Sequence, residues 1–169
     1  MKVAGVILAV ALALVLQTTL ARYAIRASSA VDLVLVVVVY VALTSGAATG
    51  LLSGTFAGLV QDALSSHVIG IGGLSKTLVG FLAGVIGTQF IVAQPLPRFV
   101  VFFGATVLHA VVFMGLYVLL DLRHFGSPVA AVAGQALGNA VVGVVAFQFV
   151  EVLPGAIERR RATRMRRRR

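Results

Sequence analysis

The chain has 169 residues, of which 60% are hydrophobic and 11% charged, and its mean hydropathy is +1.07. Soluble domains carry about 25% charged residues, so this composition excludes a compact soluble fold and predicts a protein solvated by lipid. The chain contains no cysteine, which excludes disulfides, iron–sulfur clusters and thiol catalysis.

Six apolar stretches follow one another along the chain, each near the ~20 residues that a helix needs to cross the hydrocarbon core. They cover residues 3–21, 31–44, 46–64, 74–93, 99–120 and 129–153. The first also has the pattern of a secretory signal peptide, which the first span of a polytopic protein shares. Backbone amides in lipid must be satisfied within their own segment. The sequence therefore predicts an all-α integral membrane protein, with residues 1–154 forming a bundle of six transmembrane helices. The second and third helices require a very tight hairpin at Ser45-Gly46.

The distribution of lysine and arginine predicts the orientation of the bundle. If both termini are cytoplasmic, the inner side collects Lys2, Arg98 and the eight arginines that follow residue 158. The outer side then has Arg22, Arg26, Lys76 and Arg123. Ten basic residues against four is a positive-inside bias, so we expect both termini in the cytoplasm.

The third stretch contains the run "GAATGLLSGTFAGLVQD", residues 46–62, in which four glycines stand four residues apart: Gly46, Gly50, Gly54 and Gly58. Small residues at this spacing let helix backbones approach closely in a bilayer, where hiding apolar surface gains nothing. Further pairs occur at Gly80 and Gly84, and at Gly134 and Gly138. The spacing indicates either tight packing inside the bundle or docking of another protein's membrane helix.

Charged residues lie at the predicted outer end of the glycine helix. Asp62 continues the glycine register, and Lys76 begins the next, antiparallel helix at a similar depth. Ionisable groups within membrane helices usually face an interior or a cavity. We expect Asp62 and Lys76 to form an ion pair at the rim of an outward-facing polar recess; the alternative is that they only fasten the loop at the headgroups. Asp32, with Arg22 and Arg26 nearby, can join either arrangement.

Other polar residues within the spans allow two interpretations each. His109, in the middle of the fifth stretch, either bonds to a neighbouring helix or serves a ligand or a proton relay. Gln135 and Asn139 lie one turn apart and either hold helices together or line a pocket. A serine protease is disfavoured, because Ser53 lacks a recognised nucleophile motif. The histidines are too dispersed to predict a metal site.

The last segment, residues 155–169, is basic and predicted to be disordered because it has no apolar core and its charges repel. We expect its arginines to bind anionic lipid headgroups: Arg159, Arg160, Arg161, Arg164, Arg166, Arg167, Arg168 and Arg169. An acidic cytoplasmic protein surface is the alternative. Nucleic acid is disfavoured, because no binding module accompanies the run.

The run "GLLSGTFAGLVQDALSSHVIGIGGLSKTLVGFLAGVIG", residues 50–87, resembles the MreD family, the membrane component of the bacterial rod-shape machinery or elongasome. The matching residues are Gly54, Gly58, Gln61, Asp62, Gly70, Leu74, Lys76, Thr77, Gly80 and Gly84. The stretches "LQTTL" at 16–20 and "DLVLVVVVYVAL" at 32–43 are also similar to the family. Gly72 departs from the pattern, since a polar residue, often Asn, is expected there.

The resemblance implies a fold like that of the substrate-binding S components of energy-coupling-factor (ECF) transporters. It implies a non-catalytic scaffold in the bacterial inner membrane that binds MreC and helps regulate peptidoglycan synthesis and cell shape, with no cofactor. The wider assembly contains RodA, a class B penicillin-binding protein and MreB. The expected partner- or pocket-binding residues are Asp32, Gly54, Gly58, Gln61, Asp62, Gly70, Lys76 and Gly80. The alternatives are the S component of an ECF-type micronutrient transporter and, more distantly, a small channel or permease.

Overall fold

The computed structural model describes residues 3–23, 31–65, 68–90, 94–122, 126 and 128–166. Six α-helices make up this part of the chain: α1 Val3–Tyr23, α2 Leu33–Ser45, α3 Ala47–Leu64, α4 Ile71–Gln89, α5 Pro95–Leu119 and α6 Val129–Arg166. Arg22 lies within α1, and Arg26 and Arg123 lie outside the described residues.

The surface of the bundle is that of a protein surrounded by lipid. Large apolar side chains such as Leu8, Val111 and Phe149 are more than 60% exposed, which a soluble protein tolerates only in small patches. Among the described residues, three segments are long and apolar enough to cross a membrane: Ile71–Gln89, Pro95–Leu119 and Val129–Glu151. The segments Ala4–Thr19 and Leu33–Ser45 are apolar but shorter.

Helix α2 is the central element of the bundle. It contacts all five other helices, and Val34, Val38 and Val41 are completely buried. A helix that is apolar on every side suits this position. At about 1.5 Å per residue its 13 residues span only ~20 Å, less than the ~30 Å hydrocarbon core. The bundle therefore has room beyond one end of α2 for other groups.

Helices α3 and α4 form the most extensive helix–helix contact, and glycine makes it possible. A Cβ at Gly50 would collide with the carbonyl oxygen of Gly80, and one at Gly54 with that of Lys76. A Cβ at Gly58 would lie 2.6 Å from the Cα of Gly73. Three glycines of the row thus pack inside the bundle, as the first of the two interpretations expects.

The other predicted glycine pairs have different outcomes. Gly80 and Gly84 face the backbone of α3, which agrees with a packing role. Gly134 is exposed, and a Cβ there would meet no atom within 4 Å. The contact between α5 and α6 instead places Gly143 against the ring of Phe102. Packing inside the bundle therefore does not hold for Gly134, and docking of another membrane helix there stays a prediction.

Two helices begin earlier than the sequence predicts, and the tight connection predicted between the second and third helices is confirmed, one residue further along the chain. Helix α4 begins at Ile71 and includes Gly72 and Gly73, which the sequence places in a loop. Helix α5 begins at Pro95, since proline fits the first turn of a helix, where no amide donor is needed. Gly46 alone joins α2 to α3, with φ of +88°, a conformation that favours glycine.

Helix α6 continues to Arg166, whereas the sequence predicts disorder from residue 155. At about 1.5 Å per residue its 38 residues extend ~57 Å, beyond the ~30 Å of the hydrocarbon core. Helical hydrogen bonds satisfy the backbone of this segment. Arg167, Arg168 and Arg169 lie outside the described residues.

We predict that Gly54→Leu strongly destabilises the bundle, because its side chain would occupy the space of the Lys76 carbonyl group on α4. Overpacking a well-filled core costs about 1–3 kcal/mol, and a collision with backbone should reach or exceed the upper figure. Thermal unfolding of the purified protein in detergent measures the effect.

The matched control is Gly115→Leu, because a Cβ at Gly115 meets no atom within 4 Å. This variant should unfold close to the wild-type temperature. Equal stability of the two leucine variants would contradict the packing described for α3 and α4.

Candidate functional site

A buried ion pair lies at the amino-terminal end of α2. Asp32 precedes the helix, and its Oδ1 accepts a hydrogen bond of 3.0 Å from the amide of Leu35, so it caps α2. Its Oδ2 lies 2.9 Å from Lys76 Nζ on α4. Both side chains are less than 10% exposed. One carboxylate therefore begins the central helix and also neutralises a buried lysine.

His109 on α5 is the third member of this cluster. Its Nε2 lies 3.4 Å from Lys76 Nζ and 4.0 Å from Asp32 Oδ2. An ammonium group can only donate, so Nε2 accepts from Lys76 and the proton of the neutral ring resides on Nδ1. His109 is 8% exposed, and its Nδ1 has no hydrogen-bond partner in the part of the chain that the structure describes.

Amide and hydroxyl side chains connect the cluster to the neighbouring helices. Asn139 on α6 accepts from the amide of Asp32 at 2.8 Å and donates to Thr106 Oγ1 on α5 at 3.0 Å. Gln17 on α1 accepts from the amide of Leu33 and donates to the carbonyl group of Val31. These bonds fix the start of α2 to α1, α5 and α6.

Asp62 has a different role from the one predicted. Its Oδ2 accepts hydrogen bonds from the amides of Gly70 (2.9 Å) and Gly73 (3.1 Å), so it caps the amino-terminal end of α4, where free amides favour a carboxylate. The ion pair predicted between Asp62 and Lys76 is not formed, because Lys76 pairs with Asp32. A Cβ at Gly72 would collide with the Asp62 carboxylate, so the glycine that departs from the family pattern leaves room for this cap.

These groups border a partly open cavity of about 390 Å³. It is lined by Gln17, Asp32, Gln61, Asp62, Gly72, Lys76, His109, Ala110, Phe113, Met114 and Gln135. The lining comes from the carboxyl-terminal parts of α1, α3 and α5 and the amino-terminal ends of α2, α4 and α6. In an alternating bundle these ends share one side, opposite the amino terminus of α1.

The predicted site residues thus separate into two groups. Asp32, Gln61, Asp62 and Lys76 line the cavity, as a polar recess requires. Gly54, Gly58 and Gly80 lie in the α3–α4 contact instead, and Gly70 donates to Asp62. Both interpretations of the polar pair on α6 hold in part, since Asn139 bonds to other helices and Gln135 lines the cavity.

Sequence reasoning missed two contributors to the site. In the sequence, Gln17 belongs only to the LQTTL stretch that resembles the family, and nothing there indicates a contact with α2. Thr106 gave no signal, because a single threonine in a membrane helix usually bonds to its own backbone, as Thr106 also does with the Phe102 carbonyl group at 2.9 Å. Ser53 likewise bonds to the Gly50 carbonyl group within α3.

A second charged contact lies at the opposite end of the bundle. Arg98 near the start of α5 donates to both carboxylate oxygens of Glu151 on α6, at 2.9 and 2.6 Å. Its guanidinium group stacks 4.1 Å from the centre of the Phe147 ring, which in turn contacts Tyr40 edge-on. This bidentate ion pair, with an aromatic ring against its guanidinium group, joins α5 to α6 at the end of the bundle away from the cavity.

The fold and the site together define a class: a multi-pass helical membrane protein with a buried ion pair beneath a polar cavity. The family model described as "rod shape-determining protein MreD" matches residues 1–154. The chain therefore belongs to the MreD family, and its role lies in rod-shape determination. Comparisons with curated proteins and with solved structures give no match.

We predict strong coupling between Asp32 and Lys76. Asp32→Asn and Lys76→Met should each destabilise the protein by about 3–5 kcal/mol, because each leaves a buried charge without its partner. The double variant should be less destabilised than the sum of the two, by about 2 kcal/mol. Unfolding free energies in detergent complete the double-mutant cycle.

The same cycle on Asp62 and Lys76 is the control. Asp62→Asn and Lys76→Met should be additive to about 0.5 kcal/mol, because the two side chains share no hydrogen-bond or ion-pair partner. Strong coupling in this second cycle, with none between Asp32 and Lys76, would contradict the observed pairing.

Proposed function

We propose that this protein is a non-catalytic scaffold of the rod-shape machinery that binds MreC through its polar cavity and thereby helps regulate peptidoglycan synthesis. The cavity carries this proposal, because ionisable groups at membrane depth are costly and usually serve a function. RodA, a class B penicillin-binding protein and MreB are proposed members of the same assembly. The proposed fold is that of ECF transporter S components.

The charge distribution supports a cavity that opens outward. With the termini in the cytoplasm, the carboxyl-terminal ends of α1, α3 and α5 lie on the outer side, and these ends border the cavity. Lys76 and Arg98 are both buried, and removal of the two from the count leaves nine basic residues inside against three outside, so the positive-inside bias becomes stronger. A partner with an extracytoplasmic region, as the family resemblance implies for MreC, would reach this opening.

Because the glycine row packs inside the bundle, it is excluded as a docking surface for a partner helix. Gly50, Gly54 and Gly58 are covered by α4, so a membrane helix of MreC has no access to them. We place the proposed contact at the cavity mouth, with Phe113 and Met114 on its α5 side.

A second candidate function is that of an S component, which takes a small ligand in such a cavity. The volume of about 390 Å³ and the polar lining favour it. A neighbouring gene for a transporter ATPase would support this function, whereas a neighbouring gene for MreC would support the scaffold.

We also propose that the basic end of α6 contacts anionic lipid. Each basic residue near a charged membrane surface contributes about 1 kcal/mol. Pro154 lies within α6 just before this segment, and proline removes one helical hydrogen bond and favours a bend. A bend there would let the following arginines approach the headgroups.

Filling the cavity should release MreC. Met114→Trp adds bulk at the cavity lining without removing any ionic group, and we expect at least about fivefold less MreC to copurify from detergent extracts, an effect of the size seen when an interface contact is blocked. Val111→Trp, on the same helix but 63% exposed on the lipid-facing side, should copurify MreC at the wild-type yield. A folded Met114→Trp variant that retains MreC would exclude the cavity as the docking site.

Cysteine labelling tests the orientation, because the chain has no cysteine of its own. Ile69→Cys, in the exposed connection between α3 and α4, should react with a membrane-impermeant maleimide in spheroplasts. Thr163→Cys should react only after the membrane is opened. The opposite pattern would place the cavity on the cytoplasmic side.

A further inference from the structure

We infer that the cavity binds a primary ammonium group, that of a lysine side chain or a small alkylamine, at the free carboxylate oxygen of Asp62. The inference deepens the proposed function, since it names the chemistry of the group that enters the same cavity. It rests on that cavity but not on the identity of the partner that supplies the ammonium group.

The charged side chains of the cavity leave an excess of one negative charge. Among the described lining residues, Asp32 and Asp62 are carboxylates and Lys76 is an ammonium group. Lys76 pairs with Asp32 at 2.9 Å, and His109 is neutral because its Nε2 accepts from Lys76. Asp62 forms no ion pair in the described part of the chain, so its charge is the one that lacks a counter-ion.

The helix ends around the cavity do not supply the missing positive charge. An amino-terminal helix end carries about half a positive charge, and a carboxyl-terminal end about half a negative charge. The cavity is bordered by three ends of each kind, from α2, α4 and α6 and from α1, α3 and α5. Their contributions therefore oppose one another. The amides at the start of α4 stabilise Asp62, but they add no counter-ion.

Asp62 directs one of its two oxygens to the cavity. Oδ2 accepts from the amides of Gly70 and Gly73, whereas Oδ1 has no hydrogen-bond partner among the described residues. Oδ1 is also not one of the enclosed atoms without a partner, which are Gln61 Oε1 and His109 Nδ1. Since Asp62 is only 4% exposed and lines the cavity, the surface that Oδ1 retains faces the cavity. A buried carboxylate with a free oxygen indicates a cationic donor.

A single free oxygen favours an ammonium group over other cations. A guanidinium group binds best when it donates to both oxygens of one carboxylate, and Asp62 Oδ2 already accepts two hydrogen bonds. A hard metal ion takes about six or more oxygen ligands, and the described residues contain no group of three acidic or histidine side chains placed to hold one. A primary ammonium group is a compact charge with three donors. One donor can bond to Asp62 and the others to water or to Gln135 of the same lining.

The cavity also suits the carbon chain that carries an ammonium group. Ala110, Phe113 and Met114 form its wall along α5, and its volume of about 390 Å³ is far larger than one ammonium group. Alkyl stems of lysine lie along apolar surface while the charged head reaches a polar partner. A carboxylate of the same length would meet the negative excess, and an alcohol would donate without a charge.

A titration of the full chain in detergent micelles at neutral pH tests the inference with three probes of one chain length: butylammonium, 1-butanol and butyrate. The chain has three methionines, so ¹³C-methyl labelling gives three signals, and Met114→Leu identifies that of Met114 in the cavity wall. Butylammonium should shift this signal saturably, with half-saturation in the millimolar range expected of so small a ligand. 1-Butanol and butyrate should bind at least about tenfold more weakly, because they cannot form the charge-assisted bond.

Asp62→Asn tests the assigned oxygen. Asn keeps an oxygen that can accept from Gly70 and Gly73 but removes the charge, so the affinity for butylammonium should fall about tenfold. Asp121→Asn is the matched control, because Asp121 follows α5 on the same side of the bundle, is exposed and does not line the cavity. Its backbone φ of +52° is also one that Asn tolerates. The affinity of this variant should stay within about twofold of the wild type.

Three results would overturn the inference: no saturable shift with butylammonium, equal binding of 1-butanol or butyrate, or wild-type affinity in a folded Asp62→Asn variant. The selectivity among the three probes is measured on the wild-type protein. It therefore decides the question even if Asp62→Asn does not fold.

Addition of butylammonium to the MreC copurification distinguishes the source of the ammonium group, with 1-butanol at the same concentration as the control. Release of MreC by butylammonium alone would show that MreC supplies the group, from a lysine side chain. Retention of MreC on a protein that binds butylammonium would assign the site to a separate small amine. If MreC fails to copurify at all, the proposed partner is wrong while the titration still tests the cavity.

Discussion

Neutralisation of a lysine at membrane depth is the constraint around which this bundle is arranged. Lys76 is 3% exposed, and an unpaired ammonium group in that position would be costly in a bilayer. Asp32 supplies the counter-charge and also caps α2, so the central helix has to begin where the pair forms. Because α2 consequently begins deep in the bundle, the space beyond it is available for the polar cavity.

The close approach of α3 and α4 fixes the position of the cavity wall that these two helices form. Glycine carbonyl and Cα groups meet directly across this contact, and the hydroxyl groups of Thr55 and Thr77 bond across it at 2.7 Å. At the end of the contact Asp62 caps α4 from the neighbouring helix. The glycine face of α3 therefore packs against α4. Asp62, at the end of that face, fixes the start of α4, the helix that carries Lys76.

The two ends of the bundle differ in the partners of their charged and polar side chains. At one end Arg98 donates a hydrogen bond to each carboxylate oxygen of Glu151, with Phe147 behind the guanidinium group. At the other end Asp32 pairs with Lys76 and Asp62 accepts from backbone amides, but His109 Nδ1 and Gln61 Oε1 are without hydrogen-bond partners in the described residues. This asymmetry supports the proposal that a binding partner uses the cavity rather than the end with the arginine pair.

Apolar length and small-residue spacing determined much of the fold from the sequence alone. Lipid requires continuous helices, so six apolar stretches predicted six helices, and glycines four residues apart predicted a tight helix contact. Only the tertiary structure decided that Lys76 pairs with Asp32, 44 positions earlier, rather than with the nearer Asp62. It also decided that α4 begins at Ile71, because Asp62 of another helix supplies its cap. The physical reason is that helix propensity is local, whereas the partner of a buried charge depends on the rotation and depth of helices distant in the chain.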